Sequence, residues 1–473
     1  MAVHIPLKVL DGKDKIKENI INDLNILKIN PQYEKMKKIG KIMPGFTQDP
    51  NDKIICYDVV NTYLRIPFFY GLNKFKINLH TSRYEQMDEK IKCVIELREN
   101  QIPVIEHCKK ELIEKRTTTI GMPPGFGKTF TGMYLGHFLM EKIIIIPPRV
   151  PLVKQWFATA HASYKGAKIW PAFLTPDEIK DFDNSFDFFN KKDYEILPKE
   201  IPDVIICLDP RIKKLPEEWK SRIGTIILDE AHMLPTKGRI DNLLSLRPLY
   251  IIMETATMVR SDGLHKICHL IAGEHGFYKT ANDRYDFKVI DLPQICGEEV
   301  IGPRGIDYNQ LCNSLSNDDE YNNVILQIVL DNPDNKFIVL TKRVPHGNLL
   351  VKLFNDNGIS SDSLMGSKKS YSNSRVLIGT YSKIGTGFDE KTVSGGFEGN
   401  TSDSMIMCHS VADTQNFEQY RGRVMRHSSP TVYWLNVNNK VIRSQLCKIK
   451  KHVLSTNGVI TIDRKYANLK IKQ

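Results

Sequence analysis

From Glu96 onward, short apolar runs rich in β-branched residues alternate with stretches of helical spacing: 117–121, 142–146, 204–208, 225–228 and 249–253. Each run is apolar throughout, as strands covered on both faces should be, and strands alternating with helices assemble into a parallel sheet. A second set at 336–341, 376–380, 405–408 and 431–435 repeats the pattern. The expected fold is therefore α/β, with two such units joined near 260–330. A chain of 473 residues has room for roughly three units at about 150 residues each. Residues 1–90 are rich in Lys and Asn and carry no chemical motif, so they are read as a small N-terminal accessory region. Within it, Ile20, Ile21, Leu24, Leu27 and Ile29 have helical spacing, and the stretch 63–70 reads as a strand.

Several classes of protein drop out on composition. With 41% hydrophobic and 26% charged residues the chain is not globally disordered. No apolar run approaches the roughly 18 residues that span a bilayer, so no membrane association is expected. The first residues lack the basic-then-apolar order of a secretory signal. Nine cysteines, an odd number with no CxxC pair, argue against a disulfide framework and for a reducing intracellular setting. His265, Cys268 and His269 lack a second Cys/His pair at zinc spacing and read as a helix with a packed cysteine. The net charge of +11 favours a polyanionic partner, nucleic acid above all. From Lys440 to Gln473 nine Lys or Arg face one acid, Asp463. That stretch either lies on phosphates or is a solvated terminus.

The chemistry concentrates in two places. The segment 123–129, Pro-Pro-Gly-Phe-Gly-Lys-Thr, falls between a strand run and a helical pattern. A glycine-rich turn at a helix N-terminus closes backbone amides around a phosphate chain. Pro123, Pro124, Gly125, Phe126, Gly127, Lys128 and Thr129 are the candidate nucleotide-binding residues. Lys128 would reach the β- and γ-phosphates, and the Thr129 hydroxyl would take one Mg²⁺ position. Downstream, Asp229 and Glu230 end the apolar run 225–228. A carboxylate at that edge of a parallel sheet suits Mg²⁺ (Asp229), and its neighbour suits orienting or deprotonating an attacking water (Glu230).

The ordered series GFGKT (125–129), DEAH (229–232), Thr255-Ala256-Thr257 and QYRGRVMR (419–426) resembles the motifs of superfamily 2 DEAH-type helicases and translocases. The resemblance covers about 97–426. It implies two tandem RecA-like lobes, 91–275 and 276–450, followed by a basic tail at 451–473. It also implies ATP and Mg²⁺ as cofactors, with ATP hydrolysis in a cleft between the lobes. Gln419 would position water, and Arg423 and Arg426, spaced i, i+3 and expected on one helical face, would meet the γ-phosphoryl group. Gln101, in Leu97-Arg98-Glu99-Asn100-Gln101, would contact the adenine. Arg149 would touch the nucleic-acid backbone, while His232, Thr255, Thr257, Thr380 and Asp389 would couple nucleotide state to strand contacts.

Met122 and Met258 depart from that pattern, standing where glycine and proline are usual. The run 255–263 with Leu270-Ile271-Ala272-Gly273 is similar to the excision-repair XPB-like branch, to which poxvirus transcript-release helicases and helicases of other large DNA viruses, such as iridoviruses, are related. The expected activity is ATP-dependent movement along DNA, or RNA, in viral transcription or replication, in a host cell or virion, with contacts to that machinery. The alternative is an ATP-gated clamp or transcript-release factor that does not separate strands. Phe182, Phe186, Phe188 and Phe189 either stack on bases or pack within an insertion.

Overall fold

The computed structural model describes residues 1–30, 33–34, 52–123, 125–179, 196–255, 260, 262–279, 284–302, 305–368, 370–385, 388 and 390–467. Pro124, Thr257, Asp389 and the four clustered phenylalanines lie outside the described residues. The chain divides into two compact units: residues 1–122 with 126–279, and residues 280–473 with 123–125.

In the first unit, β1 (Ala2–Pro6), β2 (Asp58–Val60) and β3 (Tyr63–Pro67) form a small antiparallel sheet in the order β1–β3–β2. Of the residues expected in helical spacing, Ile20, Ile21 and Leu24 lie on a helix at Asp14–Leu24, whereas Leu27 lies on the short strand Asn25–Lys28 and Ile29 follows it. The run after Tyr63 turns helical at Phe68. These elements are not a separate body. Met1, Val3, Ile5, Ile66 and Phe68 share one apolar cluster with Ile143 to Ile146 and Met253. The Met1 amino group donates to Leu243 O in a buried position, and Ala2 N donates to Leu246 O at 2.8 Å.

The main sheet of this unit is parallel throughout. Its strands are β4 (Thr117–Gly121), β5 (Ile143–Ile146), β6 (Ile169–Pro171), β7 (Val204–Ile206), β8 (Thr225–Leu228), β9 (Tyr250–Thr255) and β10 (Phe277–Tyr278), in the order β6–β7–β5–β8–β9–β4–β10. Helices α1 (Ile102–Lys115), α2 (Lys128–Leu139) and α3 (Val150–Ser163) pack beside it. The four isoleucines of β5 are fully buried, which at about 1.5–3 kcal/mol per side chain makes this strand the sheet's apolar axis. Register sets the site: Thr255 pairs with Gly121, and Leu228 with Met253. The loops after β4, β8 and β9 therefore emerge side by side at the carboxyl edge.

The second unit repeats the design, with β11 (Tyr285–Leu292), β12 (Phe337–Thr341), β13 (Ser361–Leu364), β14 (Val376–Thr380), β15 (Ser404–Met407), β16 (Thr431–Val437) and β17 (Gly458–Asp463). The order is β13–β14–β12–β15–β16–β11–β17, again all parallel. Helix α4 (Thr414–Arg421) precedes β16 and α5 (Lys440–Ser455) follows it. The stretch set apart by its charge is thus folded through Asp463: α5 buries Ile442, Leu446, Ile449 and Val453, and β17 closes one edge of the sheet. All nine cysteines are free thiols. Among the described residues, no helix is long and apolar enough to cross a membrane.

Candidate nucleotide site

The turn between β4 and α2 needs glycine twice. Gly125 and Gly127 have φ of +84° and +90°, in the left-handed region that side chains disfavour. A Cβ on Gly127 would also lie 2.6 Å from the Gln101 amide nitrogen. Gly127 is the N-cap of α2 and no side chain caps it, so the first N–H groups of the helix point along its axis into this turn. The helix dipole adds positive potential at the same place, and Lys128 opens the helix there, its Nζ 2.8 Å from Met122 O.

Gln101, expected at the base, has its amide on the glycine turn. Its Nε2 donates to Gly127 O and Thr131 Oγ1, each at 3.2 Å, and its Oε1 accepts from Arg98 N at 2.9 Å. The residue is buried, so the loop's conformation is tied to the short turn that precedes α1.

Asp229 follows β8 and is buried. Its Oδ2 accepts a 2.7 Å hydrogen bond from Trp156 Nε1, itself buried on α3. Burial, and then the neighbouring Glu230 charge, push its carboxyl up to about 7, while Trp156 and the Lys128 ammonium pull the other way. Arg149, the expected backbone contact at the N-cap of α3, is exposed, as are Pro151 and Lys154, whereas Trp156 further along the same helix is buried. Sequence reading missed Trp156 because its partner is 73 residues away.

Glu230 has φ +45°, strained for a residue with a side chain, and such strain is typical of functional turns. Its Oε2 lies 3.3 Å from His232 Nδ1, which is also 3.0 Å from Thr255 Oγ1. Glu230, His232 and Thr255 form one chain of contacts across the ends of β8 and β9. Arg260 steadies it, pairing through two bonds (2.9 and 2.7 Å) with Asp262 and donating to His232 O.

A further carboxyl went unnoticed in the sequence. Glu254, the penultimate residue of β9, is fully buried, and neither of its oxygens has a hydrogen-bond partner among the described residues. It packs on α2 so closely that a Cβ on Gly132 would lie 2.0 Å from Oε1. Burial first, then the charges of Asp229 and Glu230 against the opposing Lys128, hold this carboxyl well above the usual range. An acid inside an otherwise apolar strand was the available signal.

In the second unit the expected helical face for Arg423 and Arg426 needs correction. Helix α4 ends at Arg421, and residues 422–426 are turns, held by Arg423 N to Tyr420 O at 2.9 Å and Val424 N to Arg421 O at 3.0 Å. The i→i+3 bonding keeps a tight helical winding, but Gly422 ends the regular helix. Arg423 donates to Phe388 O at 2.8 Å and Gly385 O at 2.5 Å, while Arg426 is exposed. Arg421 is buried, pairs with Glu418 and covers the Tyr285 ring at 4.4 Å. Gln419 is buried on α4, and Thr380 ends β14 with its Oγ1 3.3 Å from Ser382 Oγ.

A glycine turn at a helix N-terminus, a lysine, a hydroxyl at Thr129 and a buried carboxyl at Asp229 suit a nucleoside triphosphate with Mg²⁺. Residues 94–260 match the family described as "Type III restriction enzyme, res subunit", and this part of the chain is a superfamily 2 helicase domain. Among known proteins the chain is similar to putative helicase 161L of Invertebrate iridescent virus 6, at 27% identity over 92% of this chain and 98% of that one. It is also similar to transcript termination protein A18 of Fowlpox virus, at 24% over 72% and 75%. The chain is thus similar to putative helicases of iridoviruses and to transcript termination proteins of poxviruses. Among solved structures, S. cerevisiae Dbp5 bound to RNA and ADP BeF3 shares the fold, with a TM-score of 0.51 and 15% identity over 76% of this chain and 89% of that one.

Proposed function

We propose that the protein is an ATP hydrolase that uses turnover to move along nucleic acid, with DNA as the favoured track and RNA the other. The observation that carries this reading is the shared edge of β4, β8 and β9, where the glycine turn, the acids Asp229 and Glu230, and Thr255 come together. ATP, when bound, supplies the γ-phosphoryl group, and Mg²⁺ neutralises charge on its oxygens. The α2 N–H groups and Lys128 would grip the phosphates, while Thr129 and Asp229 would hold the metal. Glu230 orients the attacking water and takes its proton. Gln419, Arg423 and Arg426 serve the same reaction from the second lobe, where guanidinium charge stabilises the transferring group.

The Glu230–His232–Thr255 chain gives coupling a physical route, since movement of the catalytic acid must disturb Thr255. Arg149 and Thr380 are the proposed strand contacts. The similarity to proteins named for transcript termination supports viral transcription as the setting. The test is steady-state ATP hydrolysis with no polymer, single-stranded DNA, duplex DNA or single-stranded RNA, with Glu230→Gln as control. Stimulation by one polymer, abolished in the variant, is expected. Rates that stay flat across all four would favour an ATP-gated clamp and overturn the motor.

A further inference from the structure

Helix α5 carries charge in a way that works against its own stability. Ile442, Leu446, Ile449 and Val453 run down its buried side, and Lys440, Arg443, Lys448 and Lys451 are all exposed on the outward arc. The helix contains no acid at all, so the Glu–Lys pairs that usually steady a solvated helix face are missing. Lys440/Arg443 and Lys448/Lys451 are instead like-charge pairs at i, i+3, which repel. Lys440 and Arg443 also occupy the first turn, where the helix dipole favours acids. Asn439 offsets part of this by capping Val441 N and Ile442 N.

Two acids that meet this helix and its cap are already engaged. Glu418 pairs with His452 at 2.6 Å and with Arg421, and Glu299 accepts from Asn439 Nδ2 at 2.7 Å. Among the described residues, none of the four outward cations makes an ion pair. A surface built like this is stabilised by an anionic partner.

We infer that the outward face of α5 is a second nucleic-acid contact, taking the phosphate backbone of the track away from the motif residues. Lys440 to Lys451 spans about 16 Å at 1.5 Å per residue, roughly five nucleotides of one duplex strand at ~3.4 Å each. A membrane is a poorer partner: an interfacial helix lays its apolar side into lipid, and here that side is packed inside the lobe. The contact is sequence-neutral, because four cations on flexible stems read charge rather than bases. It rests on the reading of the protein as a nucleic-acid motor, and its test separates the two.

The experiment compares the full-length protein with a variant carrying Lys440→Gln, Arg443→Gln, Lys448→Gln and Lys451→Gln. A control loses the same charge from exposed residues elsewhere, through Lys8→Gln, Lys13→Gln, Lys15→Gln and Lys90→Gln. Binding of single-stranded and duplex DNA and RNA is measured across a salt series without nucleotide. With all four cations on phosphates, the slope of log K against log salt falls by about 3.6 on duplex or about 2.8 on a single strand. The control slope stays close to that of the wild type, and polymer-free ATP turnover is unchanged in both variants. Equal slopes for the variant and the wild type overturn the inference, and so does a loss confined to phosphatidylserine vesicles. If Arg149→Ala lowers the slope while the α5 variant does not, the motor stands and this contact falls. If the wild type binds neither polymer, both fall.

Discussion

Glu254→Gln tests the electrostatics beneath α2 without touching a residue proposed to hold the nucleotide. In the folded protein burial and the nearby Asp229 and Glu230 hold the Glu254 carboxyl well above its ordinary 4.5. Below 4.5 both the folded and the unfolded chain keep this proton, and the residue imposes no pH dependence. Above it, the unfolded chain releases the proton while the fold retains it, so unfolding is favoured as pH rises. The slope is about −1.4 kcal/mol of stability per pH unit until the buried carboxyl itself ionises. Glutamine carries no such proton.

Between about pH 5 and pH 6.5 the wild type therefore loses roughly 2 kcal/mol that the variant keeps, or about 4–8 °C in Tm at 2–4 °C per kcal/mol. Asp229 and Glu141, both pushed up to about 7, tilt the two curves alike, so the difference between proteins isolates Glu254. Thermal unfolding in a pH series reads it out, followed by intrinsic fluorescence, to which the first unit contributes Trp156, Trp170 and Trp219. Curves that stay parallel across this range would show that Glu254 is ionised in the fold, and the argument from its burial would fail.

Three further outcomes are expected. Gly132→Ala pushes a methyl against Glu254 Oε1 and should cost about 1–3 kcal/mol in urea unfolding. In a Glu254→Ala background that cost should largely vanish, and strictly additive costs would show that the two do not touch. Trp156→Phe removes the hydrogen bond to Asp229, and the Mg²⁺ concentration for half-maximal ATP turnover should rise roughly 10–100-fold. An unmoved Mg²⁺ titration would take the metal away from Asp229. Lys128→Ala should abolish turnover while salt-sensitive strand binding persists; undiminished turnover would remove the loop from the site.

The inner strands were legible because burial on both faces writes itself as an unbroken apolar run: 117–121, 225–228 and 376–380 are strands with those bounds. The edges were not. Ser361–Leu364 is polar at three of its four positions, all three half-buried at the sheet's edge, and Gly458–Asp463 was hidden inside a charge run. Tyr285–Leu292 alternates buried and half-buried residues over its first half and so lacked the uniform signature. Residues 1–90 looked separate by composition, yet their apolar side completes the first unit's core, something composition does not encode.

The sequence by itself determined the glycine turn and the Asp229–Glu230 pair at a strand end, because both are local structure. A glycine turn, a helix start and a strand end need only neighbouring residues to take their shape. It also determined the charge of α5, though not which way that charge faces. Tertiary structure alone decided what stands behind those residues: Trp156 on Asp229, Gln101 on Gly127 and Glu254 against Gly132. Each pair joins positions far apart in the chain through a buried contact. Such contacts depend on strand order and register, which follow from packing the whole sheet rather than from any single segment.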